Sequence, residues 1–507
     1  MFESLEPRVL FAAEAPPGIA LPGPSDDPLF GYATDMAGDR MIVGTAGCWQ
    51  ASDNHHEGNA VIFTRVGNDW QAQATLLPPE PELTERFGCE VSIHGDWAFV
   101  ASTQHGVSPT WSGRVYVYHF AEGQWSHTQT LTPAVPIEGD NFGDLIQIEG
   151  STAVLASAFH DAEGDYAASL EVYELSEGTW HYDESILMPD VGPDSGHFIS
   201  LAFDGQTIVG ALTTSTILGA PEFSVTSRNL VLAYQREGGA WTQAAVFEDD
   251  HLPASNRFGS GVDVDGDRIV IDTGRGQVDI HRRTEGTWQL EQSLAVPFTT
   301  WDPTSWYGYA TPRQAVAISG DNLIVGHAFD STTATHGGSA GWYRFDGNSW
   351  ELTATLQADT PAENGFFGAA IDIEGDQVLI GSHYGGYTYL DGRSSKPTGA
   401  WVFDLDNVAP TLEVHGPVDG QTQTDARPSL SWSATDEDHD SLTYTLALWL
   451  GDTTDGEPAL RYSGLAASSF TIPEIDTLLA GQTYTWTVTA DDGHGHIVTS
   501  DAMQFTT

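Results

Sequence analysis

"RFGCEVSIHGDWAFVAS", residues 86–102, joins a Phe-Gly pair, two apolar residues in alternation and a Gly-Asp turn signal in one short run. The run recurs along the chain. "LFGYATDMAGDRMIVG" begins at Leu29, "NFGDLIQIEGSTAVLA" at Asn141, "RFGSGVDVDGDRIVID" at Arg257 and "FFGAAIDIEGDQVLIG" at Phe366. Weaker copies begin at Gly196 and Tyr307, the latter with a five-residue insertion. The glycine of the second half falls at Gly38, Gly95, Gly150, Gly205, Gly266, Gly320 and Gly375, at intervals of 54 to 61 residues. Such a period marks a repeat architecture.

Each copy reads as a hairpin. Apolar residues sit four and two positions before the turn glycine, as at Val91 and Ile93 or Val262 and Val264. That is the period-two pattern of a strand. The Gly with its polar neighbour supplies the positive φ angles of a tight turn. A return strand follows, then a variable loop and a third strand, at Asn59, Gly113, Ser169, Gly341 and Gly399. A Trp-led fourth strand begins at Trp70, Trp125, Trp180, Trp241, Trp288 and Trp350. Four strands per repeat, seven times over, predict an all-β chain with a seven-bladed β-propeller.

The Phe-Gly opening, the apolar alternation and strands such as "GRVYVYHF" at Gly113 resemble FG-GAP repeats, the blades of integrin-alpha-type propellers. The resemblance covers residues 29–406. The Gly-Ala-Pro of that family is never intact; small residues hold its place at Gly44, Ala101, Ala156, Ala211, Gly326 and Gly381, and Asp272 in the fifth copy. The family's D-x-D-x-D-G calcium loop is replaced by a tight turn, so no cofactor is expected; calcium is possible in principle but not predicted. Asp263 and Asp265 read as a solvated strand face opposite Val262 and Val264, not as metal ligands.

Residues 1–28 form a separate segment. "MFESLEPRVLFAA" lacks the basic start and long apolar stretch of an ordinary secretory signal. It resembles the LEPR-XLL segment of planctomycete surface proteins at Leu5, Glu6, Pro7, Arg8 and Leu10, which implies an extracellular or cell-surface destination. "APPGIALPGPSDDP" then reads as a Pro-rich linker. At the other end, the Phe-Gly pattern stops near Val408. Residues 407–507, with Trp432, Tyr484 and Trp486 on alternating strands, resemble a fibronectin type III or immunoglobulin-like β-sandwich. Asp436, Asp438 and Asp440 there have metal-like spacing. Ser441 replaces the glycine an EF-hand requires, so an acidic turn is the preferred reading.

Composition narrows the partners. The formal net charge is −53, and Lys396 is the single lysine. Nucleic acid and anionic membrane would repel such a chain, and no stretch has the length of a membrane span. The expected partners are an extracellular protein or a glycan, bound by a monomer.

Catalytic motifs are sparse. "GGSAG" places Ser339 in a G-x-S-x-G pattern, but it leads from a loop into a strand, without the elbow that motif needs. His55, His56 and Glu57 cluster in a loop with no companion ligands. In an up-down blade, the second-to-third loops and the inter-sheet connections share one face. The long segments 47–58, 103–112, 157–167, 212–228, 327–340 and 382–398 all fall there. They and the connections carry Trp49, Trp111, Trp301, Trp306, Tyr384 and Tyr387, rings suited to stacking on sugar or protein. These rings equally suit the loops' own small cores. The reading is a non-catalytic binding or adhesion protein with its ligand on this face; the alternatives are a propeller enzyme acting on polysaccharide and a structural envelope protein. An enzyme should bring carboxylates together at the central mouth, and an adhesin should show an aromatic-rich rim.

Two consequences of the FG-GAP resemblance complete the expectations. Packing of Phe-Gly near the preceding blade's second strand would place Cys48 beside Cys89, so a disulfide between them is a candidate, with two buried thiols as its rival. The seventh blade runs straight into the sandwich linker and is expected to have three strong strands, with no replacement strand from the N-terminal linker.

Overall fold

The computed structural model describes residues 16, 18–23, 30–45, 58–67, 69–80, 86–103, 113–133, 142–160, 166–187, 197–218, 224–248, 258–274, 276–296, 315–382, 399–423, 425–436, 442–454, 456–493 and 496–507. Over these residues the chain is almost entirely β, and it divides into two compact units. One is dominated by four-stranded sheets and ends at Phe403; the other consists of Asp404–Thr507 together with the short stretches Pro16–Ile19 and Val66–Asp69.

The first unit holds seven four-stranded antiparallel sheets among the described residues. Their first strands are Phe30–Ala37, Phe87–His94, Ile146–Glu149, His197–Phe203, Val262–Asp265, Val316–Ser319 and Phe367–Glu374. Each turns back at its repeat glycine: Gly38, Gly95, Gly150, Gly266, Gly320 and Gly375 all have φ near +60°. The first strands touch in cyclic order, and the seventh returns to the first. A ring of up-and-down sheets closed in this way is a β-propeller.

Apolar layers fill the ring sheet by sheet. Ile42, Ile62, Phe87, Val91 and Val100 interleave between the first and second sheets, and Val43, Phe63, Leu379 and Val402 between the seventh and first. All nine are at most 3% exposed, so each contributes about 1.5–3 kcal/mol of burial. Both faces of a sheet are covered by neighbours, which a sequence pattern with one solvated face does not anticipate.

Side chains stitch the sheets at the turn end. Arg40, two residues after its turn glycine, donates to the Gly95 carbonyl and to Asp96 at 2.8 Å, and lies over the Phe120 ring at 4.6 Å. Arg268 repeats this on the fifth sheet: it bonds the Gly320 carbonyl at 3.1 Å and Asp321 at 3.2 Å, over Phe345 at 4.4 Å. At the outer edge, Gln129 both donates to the Trp180 carbonyl and accepts the Trp180 amide, and Gln292 does the same with Trp350.

Two expectations are corrected here. The seventh sheet gains its fourth strand from the N-terminal stretch read as a linker: Ile19–Ala20 pairs beside Gly399–Asp404, and the Leu21 amide donates to the Ala400 carbonyl at 2.8 Å. Segments 157–167 and 212–228 are largely not loops. Strand Thr152–His160 pairs with Tyr166–Ser176, and Thr207–Leu218 pairs with Ser224–Glu237, as long hairpins.

The second unit packs two sheets. One is three-stranded, Thr411–Gly416, Ser429–Thr435 and Ser469–Thr471; the other is built around Thr443–Leu450 and Thr483–Asp491. Alternation puts Trp432, Leu446, Leu448, Tyr484, Trp486 and Phe505 into one core. The Tyr484 hydroxyl accepts the Leu479 amide at 2.9 Å, and the Trp486 indole donates to the Pro417 carbonyl at 2.9 Å. Asp436 follows the Ser429–Thr435 strand, while Asp438 and Asp440 lie outside the described residues.

Candidate functional site

Every sheet of the ring contributes to a cavity of about 270 Å³ on its axis. The wall comes from the early part of each first strand or the residues leading into it: Tyr32 to Asp35, Arg86 to Glu90, Asp144 to Gln147, Ser260 to Asp263 and Ala369 to Asp372 among them. Since first strands begin on the long-loop face, the cavity lies at that end of the axis. Its character is polar. Asp35, Glu90, Asp144, Asp263 and Asp372 supply carboxyl groups, and Arg86 is the basic residue of the wall. Arg86 Nη2 donates to the Tyr32 hydroxyl at 3.2 Å.

Three of these carboxyl groups hold the ring together. They occupy one register position, three residues before the turn glycine. From there Asp35 Oδ2 accepts the Ile93 amide, Asp263 Oδ2 the Ile318 amide and Asp372 Oδ2 the Met36 amide, each at 2.6 Å and each on the next sheet. Ser92, at the same position, accepts the Ile148 amide at 3.1 Å, and Ser200 accepts Val262 in the same way. Inner-strand amides would otherwise face the channel without a strand partner, and a short polar side chain from the neighbouring sheet satisfies them.

Asp263 departs from the expectation of a solvated strand face, because it bridges to Ile318 on the next sheet; Asp265 stays partly exposed and accepts the Gly320 amide at 2.6 Å. Burial pushes the Asp263 carboxyl up to about 8, against the lowering effect of its two amide donors. The recurring polar residue in Asp35, Ser92, Gln147, Asp263 and Asp372 was the available signal for this ring of latches.

The Cys48–Cys89 pairing falls in part on Cys48, outside the described residues. Cys89 is a free, buried thiol on the cavity wall, its Sγ 3.5 Å from Thr103 Oγ1 and 3.8 Å from the Ala101 carbonyl. Its side chain faces its own sheet's second strand. Burial raises the thiol, opposed by Arg86.

Trp49, Trp111, Trp301, Trp306, Tyr384 and Tyr387 also lie outside the described residues, as do His55, His56 and Glu57. Ser339 does begin a strand, Ser339–Phe345, and is fully buried; its hydroxyl donates to Asp330 Oδ2 at 2.7 Å. His327 pairs opposite it in the sheet, so a trio of catalytic composition exists. All three are at most 5% exposed. Among the described residues, no three His, Cys, Asp or Glu side chains are grouped to hold a metal ion.

No family model and no curated protein matches the chain. Solved structures do resemble it. Sqt1 of Saccharomyces cerevisiae aligns at 12% identity and a TM-score of 0.36, over 83% of this chain and 96% of its own. The N-terminal domain of Nup159 aligns at 10% identity and a TM-score of 0.35, covering 73% of this chain and 88% of its own. The β-propeller domain of the trilobed protease from Pyrococcus furiosus, described as having an open velcro topology, aligns at 10% and 0.38, over 73% and 94%.

Proposed function

We propose that this chain is an exported, non-catalytic binding protein of the cell surface: a seven-bladed propeller of FG-GAP type with a fibronectin- or immunoglobulin-like sandwich. Its ligand sits at the long-loop end of the central axis. The observation that carries the reading is the axial cavity of about 270 Å³, walled by Tyr32, Arg86, Glu90 and Asp144 on a rigid ring. That space takes one sugar residue or one side chain, not a polymer segment. Among the described wall residues carboxyl groups outnumber the single basic residue, Arg86, so an uncharged or cationic hydroxylated group suits the wall and an anionic one is repelled. The Tyr484 hydroxyl on the Leu479 amide supports the sandwich assignment, because immunoglobulin-like domains anchor a strand this way.

The polysaccharide-enzyme reading keeps one specific support, since carboxylates do gather at the mouth. Against it, Asp35, Asp263 and Asp372 each spend an oxygen on a neighbouring sheet's amide, a structural use. A glycan and protein array probed with residues 16–406, beside an Arg86→Ala, Asp144→Asn double variant, tests the proposal. Binding by the parent and its loss in the variant is the expected result. Binding unaffected by the variant moves the site elsewhere; turnover of an arrayed polysaccharide establishes the enzyme instead.

A further inference from the structure

At the turn end of the ring, the residue just before the turn glycine latches three of the sheets to the next. Asp204 Oδ2 accepts the Gly266 amide at 3.0 Å, Asp265 Oδ2 the Gly320 amide at 2.6 Å and Ser319 Oγ the Gly375 amide at 3.0 Å. His94 holds this position on the second sheet, where the junction is made by charge instead. Its Nδ1 lies 3.2 Å from Oε2 of Glu149, which holds the same position on the third sheet. Glu149 is packed on its other side as well. A Cβ on Gly205 would lie 3.0 Å from the Glu149 Cγ, whereas the other six turn glycines have nothing within 4 Å there. The pair therefore reaches from the second sheet to the turn of the fourth.

We propose that His94 and Glu149 form an acid-strengthened latch: the protonated imidazole holds Glu149 across the junction of the second and third sheets, and deprotonation releases it, so that the turn end of this junction loosens as pH rises. The neutral ring has no charge to offer and a single N–H to place. The bond to Glu149 raises His94 above the ordinary value of 6.5; partial burial opposes the rise, and the charges of Glu149 and of Glu374 on the seventh sheet add to it. Asp35 of the first sheet accepts the adjacent Ile93 amide. Arg40 of the first sheet, which donates to the Gly95 carbonyl, disfavours the proton, and its partner Asp96 offsets it. A group raised in the folded state binds its proton there preferentially. The latch is thus complete below about pH 6.5 and is lost as pH rises through the folded value. The device lies at the other end of the axis from the cavity and acts whether or not the cavity is filled.

Histidine ring NMR on the full chain, with the His94 signal assigned by its loss in His94→Gln, reads the proton directly. Its midpoint should lie above 6.5 and should fall in Glu149→Gln, where burial remains without the carboxylate. Amide hydrogen exchange reads the junction. The Ile148 amide crosses it to Ser92 Oγ at 3.1 Å, and Gly375, held by Ser319 at 3.0 Å, is the internal reference; neither acceptor ionises. After correction for intrinsic exchange, Ile148 should lose about threefold or more in protection relative to Gly375 between about pH 5.5 and about pH 8.5. That modest size suits side chains that are 32% and 43% exposed. In His94→Gln, whose side-chain amide does not titrate, the change should stay under about 1.5-fold. A wild-type midpoint at or below 6.5, a midpoint indifferent to Glu149→Gln, or an Ile148 response that is absent from the wild type or persists in His94→Gln overturns the proposal.

Discussion

A methyl group added to Gly44 would sit 2.4 Å from the carbonyl oxygen of Gly88, so tightly does the second sheet's Phe-Gly turn press on the first sheet's second strand. The pairing repeats around the ring. Gly326 meets the Gly368 carbonyl in the same way, Gly381 meets that of Gly31, and Gly259 meets Ala211. This explains two features of the repeat together. The Phe-Gly glycine must adopt positive φ, and the small residue near the end of the preceding sheet's second strand must leave room for it.

Gly88→Ala should therefore be costly. Its φ is +82° and a Cβ would lie 2.3 Å from the Asn59 carbonyl oxygen. Strain and overlap together predict a loss of about 3 kcal/mol or more. Gly95→Ala, at φ +56° with nothing within 4 Å, should cost about 1 kcal/mol. Equal losses for the two variants in denaturant unfolding would contradict this account.

Asp263 links pH to stability. Its folded value of about 8 lies above the ordinary carboxylate value of about 4, so the folded state binds the extra proton. Stability is then fully present in acid and is lost as pH rises through that window toward about 8. Asp263→Asn keeps an acceptor for the Ile318 amide and does not ionise. It should match the wild type in melting temperature below about pH 4 and exceed it by a growing margin as pH rises toward about 8. A variant with the wild-type pH slope would show that Asp263 is not the titrating group.

Cys89 should be silent in the native protein. Iodoacetamide at about pH 8 should leave it unmodified in the fold and alkylate it fully after denaturation without reductant, because the thiol is buried and its pKa raised. Peptide mapping by mass spectrometry reads both states. A Cys89 that stays blocked until a reductant is added would establish the bridge to Cys48.

Most of the ring was legible because it is repetitive. The Trp-led outer strands and the seven turn glycines each appear several times, so a weak signal becomes strong by recurrence. What was missed occurs once or breaks the one-solvated-face assumption. Ile19–Ala20 is too short to show any alternation inside a Pro-rich stretch. Thr214, Ser215 and Thr216 extend a strand without an apolar residue among them, so they read as loop. Asp263 read as outward-facing because period two separates two faces but not solvent from a neighbouring sheet. The cavity itself has no sequence signature, since its wall draws two to four residues from each of seven distant segments.

Arg268 should be worth more than a surface ion pair. Its side chain is 9% exposed, bonds Glu291 at 3.3 Å and Asp321 at 3.2 Å, and stacks over Phe345 and Trp350. Arg268→Ala leaves Glu291 without this partner and uncovers both rings, a loss of about 2–4 kcal/mol. Arg268→Lys should recover less than half, because an ammonium neither lies flat on a ring nor forks between the carboxylates and the Gly320 carbonyl. Full rescue by lysine in equilibrium unfolding would reduce the site to simple charge pairing.

The N-terminal stretch should be required for a firmly closed ring. Without Ile19–Ala20, the strand Gly399–Asp404 becomes an open edge, and its buried Ala400, Trp401, Val402 and Phe403 lose their flank. Leu21, only 7% exposed, adds apolar burial, and the Leu21 amide on the Ala400 carbonyl ties the stretch to the edge. Removing that contact alone predicts about 2–3 kcal/mol. Residues 29–406 should accordingly melt below residues 16–406, and the excess hydrogen exchange should concentrate in 399–404 and then in the neighbouring strand Gln377–Ser382. Leu21→Ala in the longer form isolates the side-chain share. If the two fragments melt together and protect 399–404 equally, the stretch is an ornament on a ring that closes without it.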